Sequence, residues 1–317
     1  MAETSGRISL WGIEVFVAIA EEASISAAAR RLGASPSSVS QQLTNLESAV
    51  DATLIDRSTR PLACTPAGEL FRRRALTIIN EAEQAKAELA TADLAQMSRF
   101  RLGVIEDFDA DVTPSLLGEM AQNWRNTQFL LETGASHRLL DQLEARALDV
   151  AITAEMGPPP DWAEVHPLME EDFVAVLPRG ADASPDALRA LPLVQYSARH
   201  HMGRQITTHL AEQDFRIPPR FQLDSYHAIL AMVARGAGWT ILTPLGVLRA
   251  KRFMSALDVV PLPIAPLKRR VAVFARREVY GGLPSDVAAQ VSTLIDAQIL
   301  TPLRETAPAL SAHIRLS

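Results

Sequence analysis

Ser24-Ile-Ser-Ala-Ala-Ala-Arg-Arg-Leu-Gly-Ala-Ser-Pro-Ser-Ser-Val-Ser-Gln-Gln-Leu-Thr-Asn-Leu-Glu-Ser-Ala-Val50 reads as two short helices joined by a tight turn. Helix formers dominate as far as Leu32, and Gly33 stands where a helix ends in a left-handed residue. Ser35 has the chemistry of an N-cap and Pro36 suits the first helical position, so a second helix begins almost at once. On it Val39, Leu43, Leu46 and Val50 form one apolar stripe, expected to pack on Phe16, Ile19 and Leu32. The opposite face carries Ser37, Ser38, Ser40, Gln41, Thr44 and Asn45. These short hydrogen-bonding groups, with Ser35 and Pro36 at the helix start, can approach base edges and phosphates closely. The competing reading is an αα-hairpin with a solvated, serine-rich face.

The flanking sequence favours the DNA-reading interpretation. Leu54-Ile-Asp-Arg-Ser-Thr-Arg60-Pro61 is a short turn whose Arg57 and Arg60 could form a wing gripping phosphate or minor groove. Thr65 then caps a long helical pattern opened by Pro66 and extending to 94. Along it Phe71, Ala75, Ile78, Ala82, Ala85 and Leu89 recur at spacings of 4, 3, 4, 3 and 4. Such a heptad seam of small residues predicts pairing with a second subunit, hence a dimer presenting two reading helices. Packing on the same chain is the alternative.

The remainder alternates strands and helices. Arg101–Ile105, Gln128–Thr133 and Asp149–Thr153 read as strands, Pro114–Trp124 and His137–Ala147 as helices. A second series follows: strand Leu193–Tyr196, helix Arg204–Gln213, strand Phe221–Leu223, helix Tyr226–Arg235 and strand Trp239–Leu242. Lys268–Ala275 reads as a returning strand. This alternation predicts a mainly parallel sheet in two α/β lobes, joined by two crossings that leave a cleft. The expected organisation is a DNA-binding domain over 1–65, a linker helix over 66–94, a hinge over 95–99 and an effector domain over 100–300. Lobe I takes about 100–175 and 266–300, lobe II about 176–265, and Thr301–Ser317 reads as a polar tail.

Bulk charge opposes nonspecific coating of nucleic acid, since the net charge is −6 and residues 1–65 hold five arginines against seven carboxylates. DNA binding must therefore come from local placement. Lone Cys64 cannot form an intramolecular bridge and reads as a buried apolar residue rather than a redox sensor. The N-terminus lacks a leader pattern and no stretch is apolar enough to span a membrane, so a cytoplasmic, nucleoid-associated protein is expected. Adjacent His200 and His201 lack helical metal-ligand spacing, and Gly236-Ala-Gly238 follows a helix, the reverse of a phosphate cradle. No metal, cofactor or catalytic motif is expected.

With these residues in hand the sequence resembles the LysR-type transcriptional regulators. Phe16-Val-Ala-Ile-Ala-Glu-Glu-Ala-Ser24, Ala28-Ala-Arg-Arg-Leu32, Ser35-Pro-Ser-Ser-Val-Ser40, Leu46-Glu47 and Thr65-Pro-Ala-Gly68 occur in family order. Leu139-Leu-Asp-Gln-Leu-Glu-Ala-Arg-Ala-Leu-Asp-Val-Ala-Ile152 and Met232-Val-Ala-Arg-Gly-Ala-Gly238 are similar to its effector-domain signatures. The resemblance implies a winged helix-turn-helix, a dimerising linker helix and a two-lobe domain like a type 2 periplasmic binding protein. Gln41 stands where the family often has Arg and Asp51 where it often has Gly, departures that concern DNA specificity.

The resemblance also implies an effector site near Glu106, Asp107, Thr133, Ser136, Thr153, Ser197, Arg199, His200 and Ser225. The acidic turn Glu106, Asp107, Asp109 and Asp111 could receive an ammonium group while Arg199 takes a carboxylate, which would suit a carboxylated or amphoteric metabolite. The expected function is an effector-modulated transcription regulator acting as a dimer or tetramer on promoter DNA, with RNA polymerase as a further partner. The alternatives are a cytosolic α/β enzyme or a solute-binding module with a helical appendage.

Overall fold

The computed structural model describes residues 7–89, 97–215 and 217–317. The chain divides into two compact units, one ending at Ala92 and one beginning at Asp93. The first contains α1 (Leu10–Glu22), α2 (Ile25–Arg31), α3 (Pro36–Ala49), a hairpin of β1 (Ile55–Asp56) and β2 (Ala63–Cys64), and the long α4 (Pro66–Leu89). Each of the first three helices starts on a serine whose hydroxyl accepts a backbone N–H of the first turn: Ser9 from Gly12, Ser24 from Ala27, Ser35 from Ser38. Phe16, Ile19, Val39, Leu43, Leu46 and Leu54 close the core. Gly68 lets α4 pass directly over the hairpin, because a Cβ there would lie 2.1 Å from the Leu54 carbonyl oxygen.

The second unit has two lobes. Lobe I is built on β3 (Arg99–Ile105), β4 (Gln128–Gly134), β5 (Val150–Ala154), β6 (Ala163–Asp172), β12 (Lys268–Arg276) and β13 (Ile314–Leu316), ordered β13-β6-β12-β5-β3-β4. Its helices are α5 (Val112–Asn123), α6 (Ser136–Glu144), α11 (Leu283–Ile295), α12 (Thr301–Thr306) and α13 (Pro308–Ser311). Lobe II holds β7 (Val174–Pro178), β8 (Leu193–Tyr196), β9 (Pro219–Leu223), β10 (Thr240–Leu242) and β11 (Leu257–Pro261), with α7 (Pro185–Ala190), α8 (His201–Glu212), α9 (Tyr226–Val233) and α10 (Pro244–Leu248). Two of its sheets, β10-β7-β11 and β8-β9, meet at a bridge between Leu193 and Trp239.

The structure corrects three expectations. The sheets are mixed rather than mainly parallel: β3 runs parallel to β4 and β5, but β12 enters antiparallel to β5 and β6. Because β12 arrives from the far lobe, it runs opposite to the strands of the βα units. The polar tail is instead α12, α13 and β13, held by buried Leu303, Leu310 and Ile314, with β13 pairing along β6. Of the expected hinge, Arg99 already belongs to β3, while 95–96 lie outside the described residues. The chain crosses to lobe II at Phe173 and returns between Pro261 and Lys268. Among the described residues no helix is long and apolar enough to cross a membrane.

Candidate functional site

The exposed face of α3 is ordered by its own side chains. Ser37, Ser38, Gln41, Thr44 and Asn45 are exposed on α3 and Ser40 is half-buried, opposite the buried stripe of Val39, Leu43 and Leu46. Gln41 donates from Nε2 to Asn45 Oδ1 at 2.9 Å, one helical turn away. The Thr44 hydroxyl donates to the Ser40 carbonyl at 3.0 Å and accepts from Arg57 Nη2 at 3.1 Å. Arg57 also donates to Glu47 Oε2 at 2.9 Å. Arg60 folds back on its own loop, donating from Nη1 to the carbonyls of Arg57 and Thr59 at 3.0 and 2.8 Å. The two wing arginines thus differ: one is fastened to α3, the other to the loop. Glu47, noticed in the sequence only as half of Leu46-Glu47, is the residue on which this arrangement converges.

The expected dimerisation seam splits. Phe71 meets Phe16 edge-on at 5.4 Å between ring centroids, and Ala75 is fully buried in the core of the same unit. Both turn toward their own unit, Phe71 half-buried and Ala75 fully, because the first turns of α4 pack on α1. Ile78 is 42% exposed, Ala82 half-buried and Ala85 exposed, all on one face, and the Leu89 side chain lies outside the described residues. Cys64 is half-buried against the same core, and burial pushes its thiol pKa up, away from reactivity.

In the second unit both lobes line one cleft, whose empty space measures about 620 Å³ out to its open mouth. Glu106, Asp107, Ser136, His137 and Glu155 come from lobe I, Tyr196, His200, His201, Gln205 and Tyr226 from lobe II, and Arg269 from the returning strand. Buried Arg269 donates from Nε to Glu171 Oε1 at 2.7 Å and from Nη2 to Asp107 Oδ2 at 2.8 Å, with a second, shorter contact to Glu171. Its Nη1 makes no hydrogen bond among the described residues. Glu171 in turn accepts the Leu245 N–H of lobe II at 3.2 Å, so one carboxylate touches both the cation and the far lobe. Burial of Glu171 raises its pKa, which Arg269 opposes.

The helices α6 and α8 begin at the cleft, one from each lobe, with His137 and His200 at their first turns. The two rings lie 6.4 Å apart at 83°, and His200 stacks on Tyr196 at 4.7 Å. The Nδ1 atoms of both histidines are buried without a hydrogen-bond partner. Burial lowers the pKa of His200, aided by His137, and burial followed by Arg204 lowers that of His201. Glu106 moves upward, through burial and then through Asp107 and Asp109. α8 approaches β8 this closely because residue 203 is glycine, where a Cβ would sit 2.3 Å from the Ser197 carbonyl oxygen.

Four of the nine expected effector residues, Glu106, Asp107, Ser136 and His200, line the cleft. Arg199 does not: its side chain is 84% exposed and paired with Asp224 at 2.7 Å. Ser197 donates to the same aspartate, Thr133 and Ser225 are exposed outside the cleft, and Thr153 is buried within β5. Asp107 is engaged by Arg269, a cleft-lining cation that was not among the nine expected residues. Arg269 lies in the segment read only as a returning strand, Lys268–Ala275, and its register opposite Glu171 is what reveals the buried pair.

A helix-turn-helix unit with a wing, followed by a two-lobe α/β unit around a polar cleft, defines a ligand-responsive DNA-binding protein. The description of bacterial regulatory helix-turn-helix proteins of the lysR family matches residues 10–69, and that of the LysR substrate binding domain matches residues 95–289. The chain is 33% identical over 180 residues to a probable hydrogen peroxide-inducible genes activator of Mycobacterium xenopi, covering 57% of this chain and 95% of that protein. It is 29% identical over 243 residues to the HTH-type transcriptional regulator DgdR of Burkholderia cepacia, covering 76% and 80%. Full-length CbnR complexed with its target DNA has the same fold, with a TM-score of 0.62 and 18% identity over 90% of this chain and 100% of that one. The chain belongs to the LysR family of transcriptional regulators. It is a DNA-binding regulator with an effector-binding domain, not an enzyme.

Proposed function

We propose that this regulator works as a homodimer or homotetramer in the cytoplasm, on the nucleoid, where α3 reads promoter DNA and a small carboxylated or amphoteric metabolite in the inter-lobe cleft sets its activity. The observation that carries the effector reading is the convergence, from two lobes, of groups with unused hydrogen-bonding capacity: Nδ1 of His137, Nδ1 of His200 and Nη1 of Arg269. The outward row Ile78, Ala82 and Ala85 supports subunit pairing through α4. Effector-dependent movement then changes the spacing of the paired reading helices and access for RNA polymerase.

A peroxide signal, suggested by the name of the mycobacterial relative, is disfavoured by composition. The sole cysteine, Cys64, lies in the DNA-binding unit, so an intrachain thiol–disulfide cycle has no second sulfur. Binding of purified protein to the region upstream of its own gene, measured over a salt series and a panel of carboxylates and amino acids, tests the proposal. A selective complex whose footprint shifts with one panel member is expected. Absence of sequence-selective binding, or a footprint indifferent to a metabolite that binds, overturns it.

A further inference from the structure

We infer that Glu47 is a positioning residue for the DNA interface: its single carboxylate ties the wing to α3 and fixes which face of Arg57 is offered to DNA. The inference rests on the proposed role of Arg57. Oε1 accepts the backbone N–H groups of Leu54 and Ile55 at 2.8 and 3.2 Å, the two residues that lead into β1. Oε2 accepts Arg57 Nη2 at 2.9 Å. The wing strand and the wing cation are therefore held by the two oxygens of one group that itself belongs to α3.

The geometry assigns the remaining donors. Arg57 spends Nη2 on Glu47 and Thr44, while Nε and Nη1 make no hydrogen bond among the described residues, and its side chain stays 44% exposed. A guanidinium anchored by one nitrogen presents the others in a fixed plane, which suits a phosphate oxygen pair better than a mobile side chain does. Anchoring also commits the Thr44 proton to Ser40 and one of its two oxygen lone pairs to Arg57, so the hydroxyl has no donor left. Thr44 is left with its methyl group and one acceptor lone pair, so it cannot donate to a base or a phosphate. Polar base reading passes to Gln41 and Asn45. Because α3 has no Lys or Arg of its own, one immobilised cation carries a large share of the local phosphate contact.

The test compares Glu47→Gln, Thr44→Val, Arg57→Ala and the Glu47→Gln/Arg57→Ala pair in the full chain. Affinity for a labelled duplex from the region upstream of its own gene is measured as a function of salt, with urea unfolding as the check on folding. Glutamine keeps an acceptor for Leu54 and Ile55 but removes the charge that holds Arg57. Arg57→Ala should lower affinity roughly tenfold and reduce the salt slope by about one per subunit. Glu47→Gln should reproduce most of that loss at unchanged unfolding midpoint, and the double variant should add little. Thr44→Val, which leaves the backbone bonds of Glu47 intact, should give a smaller loss in the same direction. A full salt slope in folded Glu47→Gln and in Thr44→Val, beside a reduced slope in Arg57→Ala, overturns the positioning role and leaves the interface standing. An unaltered slope in Arg57→Ala itself overturns the interface role of Arg57.

Discussion

Arg249 Nη2 of lobe II lies 2.5 Å from Asp109 Oδ1 of lobe I, and its Nη1 reaches Asp111 at 3.3 Å. The turn of residues 106–111 that supplies Glu106 and Asp107 to the cleft is thus also clamped to the opposite lobe. The pairs are partly exposed, so the contribution of each is about 1 kcal/mol or less. Arg249→Met should therefore change global stability little while lowering amide protection in both 106–111 and 244–250. Hydrogen exchange measures this directly, and protection lost on one side alone would show that the clamp does not couple the lobes.

Removing Arg269 should have a far larger effect. Arg269→Met leaves Asp107 and Glu171 buried beside each other without a cation, at a cost of about 3–5 kcal/mol. Adding Glu171→Met should recover only part of this, since it removes one buried carboxylate while Asp107 still lacks its cation. Urea unfolding of the single and double variants checks the order.

The histidines give a pH dependence with a definite sign. His200 has its pKa lowered by burial and then by His137, so the folded protein binds fewer protons there than the unfolded chain does. Stability therefore rises with pH up to the unfolded value of 6.5 and falls on acidification below it. His200→Asn should flatten the dependence of Tm on pH between about pH 7 and pH 5. An equally steep dependence in the variant would assign the acid sensitivity elsewhere.

Gly68 offers a steric test of the N-terminal unit. The Cβ of Gly68→Ala would approach the Leu54 carbonyl oxygen to 2.1 Å, and that oxygen already accepts the Thr65 N–H at 3.0 Å. Backbone cannot yield as a side-chain tip can, so a loss near 3 kcal/mol, about the upper end of overpacking effects, is expected. Tm of the N-terminal unfolding transition reports it.

Oligomerisation through α4 predicts that Ile78→Glu, at a 42% exposed site, leaves the fold intact but shifts sedimentation toward monomer. DNA affinity should fall about a hundredfold as bivalent attachment is lost. Retention of the wild-type sedimentation coefficient would place the interface elsewhere.

The helix-turn-helix was legible because its signals are local: serine caps, a proline at N1 of α3, a glycine with positive φ at residue 33 and one apolar stripe each occupy a few consecutive residues. The parallel strands β3, β4 and β5 were legible from short apolar runs between helices. β6 was not, since Ala-Glu-Val-His-Pro-Leu-Met-Glu-Glu-Asp has no clean alternation and gains its place by pairing with the distant strands β12 and β13. The same long-range register hid Arg269. At Phe71 and Ala75, which pack on the core of their own unit, the limit is another: a heptad spacing marks which face of a helix is apolar, not whether that face meets its own chain or a second copy.

The two crossings of the effector unit lie side by side. Beyond a register shift between Val271 and Ala272, β6 and β12 pair as far as Asp172 and Lys268, Phe173 then donates to the Leu267 carbonyl at 2.8 Å, and β7 and β11 pair again from Val174 and Pro261 onward. Such a doubled ribbon resists sliding and shear, because either would break ladder bonds on both sides of the joint. What it permits is flexion about one axis. Within the effector unit, a change of cleft occupancy would then be expressed as an angle between the lobes, a single scalar.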